Sequence, residues 1–284
     1  MTRARGFTLV ELVVVMVMIG VLAAVALQFI ARPTASYLAV SRRAMLSDTA
    51  DSAMRRVARE LRLALPNSVR VSGNQFLEFI PTTNGSRYRS EGAGNILDFT
   101  AADTSFIYLG DSLAGESGSV VVFNTGQRSA TANCGVAPGG ADAYEGCNRS
   151  AITAIDAAAS TVMFASLKFP FDSPGHRFHI VPATGPVTLA CENLGTAGGD
   201  GSGTLRMYTN YKTGAVDWGA SAPAATPVAG ALRSSLIANN VSACAFVYVA
   251  GVTAGNGLVT LRLTLTRGGE TLTLHHQIHV DNVP

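Results

Sequence analysis

The sequence predicts an α+β protein in which one long amino-terminal helix packs on an antiparallel β-sheet head. Three observations predict it. Residues 12–30 are almost wholly apolar, and a single carboxylate, Glu11, stands at their leading edge. Residues 36–65 carry an amphipathic helical pattern. After residue 69 the chain breaks into short β-like runs separated by Gly, Pro, Asn and Asp. With 29 glycines among 284 residues and only 14% charged residues, the composition suits a loop-rich, exported domain. A net charge of +2 without any basic run argues against a nucleic-acid-binding surface.

The first six residues hold Arg3 and Arg5 and no acid, which keeps this end in the cytoplasm. Residues 12–30 would rise ~28 Å as a helix, about the thickness of a bilayer's hydrocarbon core. A carboxylate in hydrocarbon costs at least ~2.5–3.5 kcal/mol, so Glu11 needs a partner and a role. An ordinary signal peptide would explain the basic start and the apolar core, with Ala24-Val25-Ala26 as its cleavage site. It leaves Glu11 and the Gly6-Phe7 pair unexplained.

Gly6-Phe7-Thr8-Leu9-Val10-Glu11-Leu12, followed by an apolar run, resembles the class III leader of type IV prepilins and type II secretion pseudopilins. The resemblance implies that a prepilin peptidase/methyltransferase cuts between Gly6 and Phe7 and N-methylates Phe7. It also implies a type IV pilin fold. The implied partners are other major and minor pilins, an inner-membrane assembly platform and membrane lipid. Glu11 would then lie one helical turn from the new amine and pair with the amine of a neighbouring subunit, giving an axial register. Gly20, Ala23, Ala24 and Ala26 suit either close helix approach or plain apolar filling. The expected layout is a cleaved cytoplasmic leader (1–6), a transmembrane and polymerisation helix (7–32), an amphipathic helix half (33–65) and a periplasmic β-rich head (66–284).

Arg32-Pro33 predicts a bend or local melt between the helix halves. Beyond it Ala50, Met54, Val57, Leu61 and Ala64 recur at spacings of four and three, forming one face. Asp48, Asp51, Arg55, Arg59 and Arg62 lie opposite, with Asp51–Arg55 and Arg56–Glu60 placed for i,i+4 pairs. This stripe should cover the head, and Pro66-Asn67 stops the helix.

In the head, strands are expected at 76–80, 96–99, 106–109, 120–124, 161–164, 177–181, 187–190 and 205–209, with 151–160 open between helix and strand. Segments 197–203 and 219–231 read as surface loops, and no second domain boundary is evident. Gly268-Gly269 is a two-residue hairpin turn. Folding there sets Leu265, Leu263, Leu261 and Val259 opposite Leu272, Leu274, His276 and Ile278, with threonines, Arg262, His275 and Gln277 on the other face. Residues 241–250 should join the same sheet.

Four cysteines downstream of the apolar run suggest two disulfides. Locality favours Cys134 with Cys147 and Cys191 with Cys244, out of three possible pairings. His275, His276 and His279 have no nearby acid or cysteine to complete a metal site, and His176 and His179 do not change this. Residues 198–203 lack the alternating oxygen ligands of a calcium loop. No serine has a nucleophile-elbow setting. The sequence therefore predicts no enzyme, no cofactor and no metal.

Residues 51–62, 65–70 and 275–284 are similar to the O-type minor pilins of mannose-sensitive haemagglutinin (MSHA) pilus biogenesis. That implies a minor subunit at or near a filament tip. The alternatives are a J-type minor pseudopilin of type II secretion, or a tip adhesin that binds through the loops around Cys134–Cys147 and 197–203.

Overall fold

The computed structural model describes residues 6–129, 140–215, 217–227, 232–251 and 255–284. Helix α1 (Leu9–Arg62) spans 54 residues, about 81 Å at 1.5 Å per residue. In place of the interruption expected at Arg32-Pro33, the helix is continuous. A proline removes one i→i−4 bond at ~3 kcal/mol, and long stretches of good helix formers on both sides outweigh that loss. The helix ends where the backbone N–H of Leu63 turns to the carbonyls of Glu60 and Leu61. Arg59 and Arg62 stand in its last turn, where positive charge is favoured.

The carboxy-terminal half of α1 buries Leu46, Ala50, Ala53, Met54, Val57, Ala58 and Leu61. This is the expected face, widened by residues one turn and one position away. Asp51 and Arg55 pair at 2.6 Å on the exposed side, a contact worth little in solvent. Arg56 does not pair with Glu60 as its spacing suggested. It reaches across to the head and donates to the Leu236 carbonyl at 3.1 Å and to Ser235 Oγ at 2.8 Å. Glu60 instead lies 3.8 Å from Arg59.

The chain enters the head with β1 (Arg70–Ser72) and β2 (Phe76–Phe79). It then leaves to build β3 (Asn84–Tyr88), β4 (Asp103–Leu109), β5 (Ser119–Val122), β6 (Arg149–Asp156), β7 (Thr161–Leu167) and β8 (Arg177–Val181). It returns as β9 (Val187–Glu192), makes a small hairpin of β10 (Thr196–Ala197) and β11 (Asp200–Gly201), and finishes with β12 (Gly203–Thr209), β13 (Arg233–Val249), β14 (Asn256–Arg267) and β15 (Glu270–Asp281). Seven strands form one sheet in the order β1-β2-β9-β12-β13-β14-β15, while β3-β4-β7-β6-β5-β8 close into a barrel. The described head has a core under α1, a core inside the barrel and a smaller cluster bridging them, where the sequence showed no second domain boundary. The barrel is inserted between two neighbouring sheet strands, so no linker of distinctive composition marks its boundaries. The strand expected at 96–99 is irregular chain, whereas the open stretch at 151–160 resolves into β6 and a turn.

One core joins α1 to the sheet through Leu77, Phe79, Leu189, Leu205, Phe246, Leu261, Leu263, Leu265 and Ile278. The other fills the barrel with rings, Phe106 and Phe178 lying edge to face at 5.0 Å. The β14–β15 hairpin has the register read from the sequence, including Leu265 opposite Leu272 and Val259 opposite Ile278. Gly268 and Gly269 adopt φ of 57° and 79°, the paired positive values a type I′ turn requires. Cys191 on β9 and Cys244 on β13 are joined, with Cα atoms 6.0 Å apart. Cys147 is also disulfide-bonded, and Cys134, its expected partner, lies outside the described residues.

Between the cores sits a buried acid. Glu78 on β2 is fully buried and accepts from Arg70 Nε at 2.6 Å, the Tyr211 hydroxyl at 2.7 Å and Lys212 Nζ at 3.2 Å. Arg70 stacks 3.4 Å over the Tyr144 ring. Burial, and then the charge of Glu78, raise the Tyr211 phenol and keep it protonated. Removing one partner from such a cluster would strand a charge away from water, so it locks β1, β2 and the segment after β12 together, while the Arg70–Tyr144 stack ties them to the barrel side.

Truncating the helix where it meets the sheet, Leu61→Ala, should cost about 2–5 kcal/mol, read by chemical denaturation of the full chain in detergent. A pH effect is also expected from His179 on β8. Burial, aided by Arg177, lowers its pKa from 6.5 to about 4. The folded state then binds fewer protons than the unfolded one between those values, so stability is full above pH 6.5 and declines as pH falls to 4. The loss should approach about 3 kcal/mol. Thermal melts of His179→Gln should show a correspondingly flatter profile across that window.

Candidate assembly helix and processing site

The amino terminus of α1 is built by local chemistry. Thr8 is the N-cap, in extended backbone at φ −75° and ψ 149°, and its hydroxyl accepts from the Glu11 backbone N–H at 3.3 Å. The Leu12 N–H donates to the Thr8 carbonyl at 3.2 Å, the first bond of the helix. Thr8-Leu9-Val10-Glu11 is the S/T-x-x-E pattern that starts helices. The sequence reading used Glu11 as a charge and missed Thr8 as a cap, although that spacing was the signal for it. Glu11 also gains from lying in the first turn, where unpaired N–H groups favour an acid by ~0.3–1 kcal/mol.

Gly6 and Phe7 precede the cap in non-helical backbone. Phe7 is 80% exposed, and no atom lies within 4 Å of where a Gly6 side chain would begin. The Gly6–Phe7 peptide bond is therefore outside the helical hydrogen-bond ladder and open to a protease. A bond two residues further in would be locked by the cap.

Behind Glu11, residues Leu9–Leu27 form a 19-residue segment with mean hydropathy 2.8, none of it buried against the head. Leu9, Val13, Met16, Val17, Ile19 and Leu22 are each about half exposed or more. At about 28 Å this matches a bilayer core, and its side chains meet nothing of the folded chain. Apolar exposure of this extent marks a surface made for lipid or for other helices.

The head brings together no catalytic constellation among the sequence candidates. His275 and His279 lie on the exposed face of β15 and His276 on the half-buried face, as the hairpin register implied. No group of three metal-ligating side chains occurs among the described residues. Residues 196–201 form the β10–β11 hairpin instead of an open loop, and Asp200 Oδ1 accepts from the Gly268 N–H at 2.6 Å. Its carboxylate is thus used to hold the Gly268-Gly269 turn.

The sequence model of the prokaryotic N-terminal methylation motif matches residues 1–27. That match covers the cap, Glu11 and the exposed apolar segment together. The match supports reading the amino terminus as that of a type IV prepilin or pseudopilin. The architecture of a long helix with an antiparallel β-sheet head is consistent with the type IV pilin fold. The motif marks a structural subunit processed by a prepilin peptidase and assembled with other pilins, not an enzyme, and with the apolar helix it fits membrane anchoring with the head in the periplasm. No curated protein and no solved structure matches the chain.

Intact-mass and amino-terminal analysis of the membrane-derived protein should show a chain beginning at N-methylated Phe7. A chain beginning at Leu27 would instead mean that the helix had been removed as a signal peptide.

Proposed function

We propose that this protein is a minor type IV pilin of the MSHA type. It is stored in the inner membrane as a single-pass protein and enters the filament at or near the tip, where it primes or supports assembly. In this reading residues 1–6 are removed by cleavage between Gly6 and Phe7, and Phe7 is methylated. Residues 7–32 anchor and polymerise, residues 33–65 carry the head, and residues 66–284 are exported. The pairing of Cys134 with Cys147 belongs to the same reading.

The observation that carries it is the division of α1. One half is bare and apolar with a single acid in its first turn, and the other half is sealed under the sheet. A helix so divided can leave lipid only by exchanging lipid contacts for contacts with other helices, which is what filament assembly requires. Glu11 supplies the register, because a carboxylate in low dielectric is stable only opposite a cation. The tip position is favoured by bulk: a head enlarged by an inserted barrel is easiest to place where subunits do not crowd it from above. The similarity of residues 51–62, 65–70 and 275–284 to O-type minor pilins supports the MSHA assignment over the J-type pseudopilin, which would share the same leader.

Glu11→Ala should still be exported and folded yet enter filaments about tenfold less or worse, since stranding one charge of a buried pair costs several kcal/mol and 1.4 kcal/mol is a factor of ten. Quantitative blotting of sheared filaments against membrane fractions measures this, and unchanged incorporation would remove Glu11 from the assembly contact. Immunogold labelling should mark filament ends. Co-purification with type II secretion subunits would favour the pseudopilin instead.

A further inference from the structure

Strands β3 and β8 run antiparallel, with Gly85 opposite His179 and Arg87 opposite Arg177. Along these strands the alternate residues Tyr88, Phe178 and Ile180 enter the barrel core, so Gly85, Arg87, Arg177 and His179 share its outer side. The two arginines start from positions ~5 Å apart across the strands, and like charges set directly opposite are destabilising. Neither guanidinium forms an ion pair among the described residues. Nearby acids are used elsewhere: Glu116 accepts from Thr83 and Asn84. Asp281 acts on His179 but pairs with neither arginine.

A hollow of about 290 Å³ opens on this face, lined by Gly85, Ser86, Arg87, Arg177, Phe178 and His179. Gly85 keeps it open. A Cβ there would come within 3.0 Å of the Phe178 carbonyl and 3.2 Å of His179 Nδ1. The imidazole therefore lies beside the gap. Burial and Arg177 hold it neutral, so it serves as a hydrogen-bonding group and adds no third positive charge. Its Nε2 is buried without a partner. Placing the proton on Nδ1 leaves only a lone pair at that buried position and turns the N–H toward the hollow.

The charge and donor count select a ligand class. Two guanidinium groups supply two positive charges and forked donors suited to planar arrays of oxygens. A carboxylate answers with one charge and two oxygens, whereas a phosphomonoester carries about −1.5 to −2 at pH 7 and offers three. We propose that this hollow on the barrel is a binding site for a phosphomonoester group, held by Arg87 and Arg177 with His179 Nδ1–H as a third donor. Two sources carry such a group, a small soluble ester and a lipid headgroup, and the site lies in the head whether or not the filament reading holds.

The test uses the full-length protein in detergent micelles. Calorimetric titration with glycerol 3-phosphate, against glycerol, should show saturable binding that weakens as salt rises. Binding should fall about tenfold or more in Arg87→Gln and in Arg177→Gln, and stay unchanged in Arg262→Gln on the outer face of the main sheet. The two hollow variants relieve like-charge repulsion, so their melting temperatures should match or exceed the parent's. NMR titration should show the His179 pKa rising when glycerol 3-phosphate is present. In a parallel arm, protein reconstituted in phosphatidylcholine nanodiscs is mixed with vesicles of phosphatidylcholine with or without phosphatidic acid. Association that needs phosphatidic acid and is lost in the two hollow variants assigns the lipid source. Binding to glycerol 3-phosphate alone assigns the soluble one. Absence of saturable binding in both arms, or binding retained in the double variant, overturns the proposal.

Discussion

Nineteen residues of α1, Leu9 to Leu27, present an apolar surface that no part of the folded chain covers. At ~25 cal/mol per Å² such exposure cannot persist in water, so the helix must always have lipid or another helix against it. The rest of the structure follows from that constraint. The apolar face of the head's sheet is sealed by the other half of the same helix. Leu46, Ala50, Met54, Val57 and Leu61 make that seal, and they begin only after the bare segment has ended.

The seal is against the carboxy-terminal strands. Strands β13, β14 and β15 lie under α1, and their inward residues Phe246, Leu261, Leu263, Leu265 and Ile278 meet the helix stripe directly. Arg56 and Arg43 add contacts from the helix to Ser235 and Glu270 at the margins. The last segment of the chain is thus held to the first. A helix pulled axially would pass its load into a hydrogen-bonded sheet, which suits a subunit that moves from membrane to filament.

The inserted barrel adds a second core without weakening the first. It leaves the sheet after β2 and returns at β9, which pair with each other, so the sheet closes behind the insertion. The contacts of Leu65, Ile80, Val121, Tyr144 and Trp218, with Arg70 stacked over Tyr144, join the two bodies. The charge cluster acts within the sheet, because any other placement of β1 or of the segment after β12 would leave the Glu78 carboxylate unpaired.

Much of this was legible in the residues themselves. Period and composition marked both helix halves, and the Gly268-Gly269 turn placed every pair of the last hairpin, since alternation along two strands admits one sorting of faces. The leader motif was legible because its residues are local, a Gly-Phe pair, one carboxylate and an apolar run, and the Thr8 cap, just as local, was the part left unread. What the sequence could not carry was non-local. The pairing that closes β8 onto β3, the capture of Arg56 by a strand far along the chain, and the continuity of the helix through Pro33 each depend on contacts or energy balances that no short window contains. The apolar segment and the place of Glu11 in its first turn were determined by the sequence alone. The division of the head into sheet and barrel, and the opposed arginines that the barrel sets on one face, were decided only by the tertiary structure, because strand order is fixed by which apolar faces meet and not by the spacing of residues along the chain.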